Sequence, residues 1–149
     1  MALLPAFRHD YSTIVLEVNQ MLFIKETPLK LIEKAAIKGG ADYRGRRKFV
    51  IHLLGVIKKV PIPIDQTKQI YAFPSQSPGH INCCWIFYQH VESIQKPIDT
   101  TAKDYRSIIV FHNGKELPRV ESTYVLEKQM FRTWKCIMHL MPDYPNTAN

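Results

Sequence analysis

The chain is poor in the features that secreted and membrane proteins depend on. It has three cysteines in 149 residues, and two of them, Cys83 and Cys84, are adjacent. An odd count with that spacing writes no disulfide framework. No apolar run approaches the roughly 18 residues that a membrane span needs. The segment from Met1 to Asp10 lacks a positive n-region, and its apolar stretch is too short for a secretory signal. No internal repeat, low-complexity tract or linker is visible. Acidic residues are outnumbered, 13 Asp+Glu against 20 Lys+Arg, giving a net charge of +7. These absences favour a reducing, cytoplasmic setting, no membrane, and an anionic partner of unspecified kind. The length suits one domain over residues 1–149, and an apolar fraction of 46% argues against disorder.

Chemistry-bearing patterns are equally scarce. His80, Cys83, Cys84 and His90 lie close in sequence but show neither Cys-x-x-Cys nor His-x(3–5)-His spacing. Adjacent residues of a strand face opposite ways, so at most one of the two cysteines can point at a shared ligand. Buried structural thiols are the expectation, with a hydrolase built on Cys83 or Cys84 only a distant third function. Gly40-x-x-x-x-Gly45-Arg46-Arg47 resembles a phosphate-binding loop in outline. It has Arg46 where the phosphate-reaching lysine belongs and Arg47 where the metal-binding hydroxyl belongs. No catalytic residue, cofactor or metal site is expected.

The patterning predicts an α+β class: a single domain with a mainly antiparallel sheet, a short helix near 28–38 and a C-terminal helix near 122–141. Ser12 to Ile24 reads as a hairpin turning at Asn19-Gln20. Thr27-Pro28 opens the first helix, and Gly39-Gly40 stops it. Gly39 to Lys48 then reads as a loop and Phe49 to Ile57 as a strand. Pro61 and Pro63 predict an extended piece away from the sheet centre. Ile70 to Phe73 is a short strand, and Ile81 to Val91 reads as a core strand. Asn113-Gly114 marks a second hairpin. On the last helix Leu126, Met130, Trp134, Ile137 and Met141 predict the buried stripe, with Lys128, Arg132, Lys135 and His139 on another. The tail 142–149 is expected to fray.

The positive charge is concentrated. Lys38, Arg44, Arg46, Arg47, Lys48, Lys58, Lys59 and Lys68 stand between positions 38 and 68 with only Asp42 and Asp65, while the rest of the chain is nearly balanced. Scattered charge would serve solubility as well, so clustering points to a polyanion site. In Tyr43-Arg44-Gly45-Arg46-Arg47-Lys48, glycine allows close backbone approach and arginine supplies bidentate phosphate contacts. Arginine also suits a narrow, electronegative A·T-rich minor groove. The candidate nucleic-acid ligands are therefore Arg44, Arg46, Arg47 and Lys48, then Lys38, Lys58, Lys59 and Lys68. Lys128, Arg132 and Lys135 follow as a second tier.

A set of motifs in fixed order adds to this. Thr27-Pro-Leu-Lys-Leu-Ile-Glu-Lys, Gly40-x-x-Tyr43-x-Gly45-Arg46, Pro61-Ile-Pro-Ile-Asp65, Gln69-Ile-Tyr-Ala-Phe-Pro74, Cys84-Trp85-Ile86 and His90-Val91 come first. Phe111-x-Asn113-Gly114-Lys115, Leu117-Pro118, Ser122 and Gln129-x-x-Arg132-Thr133 follow. Together they resemble the ComK family of bacterial competence transcription factors over Tyr11 to His139. The resemblance implies a nucleoid-associated activator, not an enzyme, that binds double-stranded DNA at paired A·T-rich boxes. It also implies contact mainly with the minor groove, as a homodimer or higher assembly, to switch on DNA-uptake genes and establish competence for transformation. The whole chain would then be one such DNA-binding domain. Ala35-Ala36 replaces the family's Ser-Cys, Lys48-Phe49-Val50 its Gly-Thr, and Asp65-Gln66 its Asp-Pro. The family's tail beyond Met141 carries the segment by which an adaptor delivers the protein to a Clp-type protease. Met141-Pro-Asp-Tyr-Pro only faintly echoes it, so that contact is not carried over. A divergent or shortened member suggests an alternative function, an interaction module that pairs with a full-length relative.

Overall fold

The computed structural model of the protein describes residues 1–98 and 104–141, so the tail expected to fray at 142–149 lies outside the described residues. Six short antiparallel strands form the central sheet: β1 (Ala2–Pro5), β2 (Thr13–Leu16), β3 (Met21–Ile24), β4 (Ile62–Asp65), β5 (Ile70–Pro74) and β6 (Trp85–Phe87). Their order across the sheet is β3-β2-β1-β6-β5-β4. The expected first hairpin is present, with Thr13 opposite Ile24 and Leu16 opposite Met21. The proline-bearing segment takes the edge position β4, where a missing N–H costs no ladder bond. Strand β1 has no clear signal in the sequence, yet it lies at the sheet centre. Its Leu3 faces Val15 on one side and Trp85 on the other.

The apolar run from Ile81 to Val91 is not one strand. It gives β6, a 3₁₀ turn over Tyr88–His90, and β7 (Val91–Gln95), which belongs to a second sheet. That sheet continues through β8 (Ser107–Phe111) and β9 (Glu116–Arg119). Within it Cys83 to Ile86 and Val91 are buried, whereas Ile81 at its start is 69% exposed. The β8–β9 hairpin turns at Asn113-Gly114 as expected; Gly114 has a φ of 83°, which only glycine adopts freely.

Three helices complete the fold. Helix α1 (Pro28–Lys38) is capped by the Thr27 hydroxyl, which accepts from the Lys30 N–H. Helix α2 (Tyr43–Leu54) corrects the expected loop and strand between Gly39 and Ile57. The Asp42 carboxylate caps it by accepting from the Gly45 N–H at 2.8 Å, and Gly55, at a φ of 70°, ends it. The run Phe49-Val50-Ile51 argues for a strand locally. The helix nevertheless buries Arg46 and Val50, one turn apart, and tertiary burial overrides local propensity. Helix α3 (Thr123–Leu140) is capped by the Ser122 hydroxyl, which accepts from the Val125 N–H.

Alternation along the strands sorts the core into two faces. Leu3, Ala72, Cys83 and Trp85 pack with Ile32 of α1 and with Ile62 and Ile64. Their chain neighbours Ala2, Phe73, Cys84 and Ile86 pack on the opposite face with Val91, Ile109 and Phe111 of the second sheet and Leu126 of α3. A third cluster, Val50, Val60, Tyr71 and Cys136, fills the junction of α2, α3 and β5. The buried line of α3 is Leu126, Gln129, Thr133 and Cys136. Trp134 and Met141, expected inside, are exposed at 42% and 43%. Gln129 and Thr133 replace them because both polar groups are satisfied within the fold, the Thr133 hydroxyl donating to the Gln129 carbonyl at 2.7 Å.

Candidate nucleic-acid interface

Helix α2 carries Arg44 and Lys48 exposed and Arg47 half-buried. The Arg47 guanidinium donates to the Ile57 carbonyl at 2.9 Å, tying α2 to the connection that leads into β4. That connection bears Lys58, exposed, and Lys59, half-buried. Lys59 has a φ of 52°. A residue with a Cβ adopts this left-handed conformation at a cost of about 1 kcal/mol, so the surroundings must enforce it.

Helix α3 does so. The Gln129 side-chain amide donates to the Lys59 carbonyl at 2.9 Å and to the Pro74 carbonyl at 2.8 Å. Arg132 donates to the Lys58 carbonyl at 3.3 Å and to the Gln129 side-chain oxygen at the same distance. The result is a concavity of about 240 Å³ lined by Lys58, Lys59, Tyr124, Lys128, Gln129 and Arg132. One turn beyond, Lys135 lies 5.7 Å from the Phe131 ring centroid, and Phe131 stacks on Trp134 at 5.8 Å. Bonds thus run without a gap from Arg47 through the lysine connection to Arg132. The ion pairs among the described residues are Lys34–Glu26 and Arg119–Glu121, and neither involves this rim. Among the described residues its cations thus have no carboxylate partner, although Glu127 is also exposed on α3.

The other expected ligands lie elsewhere. Arg46 is buried and turned inward. It donates to the Ala41 carbonyl at 3.2 Å, the Pro63 carbonyl at 2.5 Å and the Ala36 carbonyl at 3.3 Å. Each of its three nitrogens donates to a backbone carbonyl of the fold, so the expectation that it reaches an anion is corrected to a clamp between α1, α2 and β4. Lys38 ends α1, and Lys68 sits in the β4–β5 turn, both exposed. They flank a second concavity lined by Gly39, Gly40, Gly45, Arg46, Gln66 and Thr67, away from the α3 rim.

Sequence patterning gave no signal for Tyr124, 71% exposed beside the groove, or for Gln129 as the residue that shapes it. The three cysteines are buried. Burial pushes the Cys84 and Cys136 thiols up to about 12, so both stay protonated and poor as nucleophiles. Among the described residues, no three His, Cys, Asp or Glu side chains are grouped to hold a metal ion, and no helix is long and apolar enough to cross a membrane.

Fold and surface together define a small α+β protein with a concavity lined by Lys58, Lys59, Lys128 and Arg132. The sequence matches the family model of the ComK protein over residues 1–143, and the chain belongs to that family. It is similar to the competence transcription factor of Bacillus subtilis (strain 168), with 27% identity over 120 residues, covering 80% of this chain and 59% of that protein. The chain therefore spans less than two thirds of the length of that relative. No solved structure matches it.

Proposed function

We propose that this chain is a transcription factor of competence that binds double-stranded DNA and activates DNA-uptake genes in the cytoplasm. It would read A·T-rich promoter boxes mainly from the minor groove. The observation that carries the proposal is the rim itself. Arg47 of α2 and Arg132 of α3 both donate to the connection that bears Lys58 and Lys59, Arg44 and Lys48 stand on the same helix as Arg47 and Lys128 and Lys135 on that of Arg132, and among the described residues none of these cations is in an ion pair. Family membership and the name of the Bacillus relative supply the biological class. Phosphate neutralisation by this rim supplies affinity, and the arginines supply the preference for a narrow groove.

Titration of an A·T-box duplex and a G·C-matched control at several salt concentrations tests it. The A·T duplex should bind more tightly, with log K falling by about 0.9 per phosphate for each tenfold rise in salt. Equal binding of both duplexes at every salt overturns the sequence preference. Arg44→Ala with Arg47→Ala should weaken binding by about 1.5–3 kcal/mol for each lost charged contact. Retention of full affinity would instead favour a module that acts by pairing with a longer relative.

A further inference from the structure

The two edges of the six-stranded sheet are finished differently. At β4 the edge is closed. Pro61 and Pro63 remove N–H donors, and the Pro63 carbonyl accepts from Arg46 at 2.5 Å. Gly39 presses on the Ile64 carbonyl so closely that a Cβ there would clash with it. At the other end of the sheet β3 has no outer neighbour among the described residues. It reads Met21-Leu22-Phe23-Ile24, without proline or charge. Met21 is 57% exposed, Phe23 54% and the adjoining Val18 44%. An apolar strand with unpaired backbone is what folded proteins normally block at an edge.

The direction of the free backbone groups can be counted. The Glu17 N–H donates to the Gln20 carbonyl and the Ser12 N–H to the Ile24 carbonyl, both at 2.9 Å. Even-numbered residues therefore face β2. By the alternation of an antiparallel ladder, Met21 and Phe23 turn their N–H and C=O groups outward.

We propose that β3 is the surface at which a second copy of this chain docks, antiparallel across a two-fold axis at Leu22, so that the sheet continues from one molecule into the next. The family resemblance implies paired copies but no surface. This assignment rests on the edge alone and is independent of the DNA reading. The axis at Leu22 sets Met21 of each copy opposite Phe23 of the other and pairs all their outward backbone groups. A two-fold requires such self-complementarity. It also places a thioether against an aromatic ring on the exposed face, a favourable contact. Tyr11, with its ring centroid 4.9 Å from that of Phe23, broadens the apolar face. Charge singles out the same surface. Tyr11 to Glu26 contains two carboxylates and one lysine on a chain of net +7, so copies meeting here avoid the repulsion that the basic rim would impose.

Sedimentation equilibrium of the full chain across the micromolar range tests the proposal, with circular dichroism as the control for folding. The protein should be a dimer, and Met21→Lys with Phe23→Lys should make it a folded monomer. A monomeric parent protein overturns the proposal and assigns the edge to a strand of some other chain. A dimer that survives both lysines overturns it as well. Should the lysine variant unfold, Leu22→Cys decides. Facing residues of a non-hydrogen-bonded pair have Cα atoms about 4.5 Å apart, within the range a disulfide spans. Mild oxidation should then cross-link two copies through this position, and no cross-link overturns the proposed register and surface.

Discussion

The side-chain amide of Gln129 is hydrogen-bonded to the carbonyl of Lys59 at 2.9 Å, joining residues 70 positions apart in the chain. This bond holds a lysine in a conformation its own backbone disfavours. It thereby sets the shape of the groove that Lys58, Lys128 and Arg132 share. Gln129→Leu should destabilise the protein by about 2–4 kcal/mol, since the buried Pro74 carbonyl and the partly buried Lys59 carbonyl lose their donor. It should also weaken DNA binding at salt and temperature where the variant remains folded. Urea denaturation followed by duplex titration measures both effects.

Arg46 and Lys58 should separate stability from binding. Arg46→Ala leaves three backbone carbonyls without their guanidinium and should cost about 3 kcal/mol or more in urea unfolding. Lys58→Ala alters an exposed side chain and should change stability by less than about 0.5 kcal/mol. It should instead lower the slope of log K against log salt by about one. The reverse pattern would mean that Arg46 is the ligand and Lys58 the clamp.

Gly39→Ala should be among the most damaging small substitutions in the chain. The new methyl would meet the Ile64 backbone carbonyl, which is fixed in β4 and cannot rotate away as a flexible side chain would. A large fall in Tm is expected. Gly40→Ala, whose Cβ meets nothing but whose φ is 110°, should be penalised only by backbone strain.

Burial predicts silent thiols. With Cys84 and Cys136 pushed up to about 12 and Cys83 also raised by desolvation, an aromatic disulfide reagent should find no reactive thiol in the native protein at mildly alkaline pH. All three should react once denaturant is added.

His90 predicts an acid-side loss of stability. Burial, then the positive charges of the chain's amino terminus and of His112, lower its pKa from the ordinary 6.5. The unfolded chain therefore takes up this proton more readily than the folded one. The contribution is complete above the unfolded value and is lost as pH falls through it towards the folded value. Urea midpoints should drop on acidification through that window, and His90→Gln should flatten this part of the profile.

Legibility of the fold followed the locality of the signals. Thr27-Pro28, Ser122 and Asn113-Gly114 act within a few residues, so both outer helices and the second hairpin were readable. Helix α2 was not, because Phe49-Val50-Ile51 favours a strand unless the third core cluster is already known. The site divided along the same line. Clustering of lysine and arginine drew attention to positions 38–68, whereas composition cannot tell an arginine turned inward from one turned out. Arg46 and Arg47 are neighbours, yet one clamps three carbonyls in the interior and the other borders the groove. Gln129 stands in the motif set, but its buried role was not legible because a polar residue on a helix is ordinarily read as exposed.

The position of β1 has a consequence for how the protein is made. Leu3 pairs with Trp85, more than half the chain away, so the central seam of the sheet cannot close until β6 has been synthesised. Until then β1, β2 and β3 could pair only with one another, as a small meander that would leave both of its outer strands open. Slow, long-range closure of this kind exposes folding intermediates to mispairing. Ribosome pausing anywhere between Ile24 and Trp85 would prolong that state, and slower translation of this stretch should reduce the yield of folded protein.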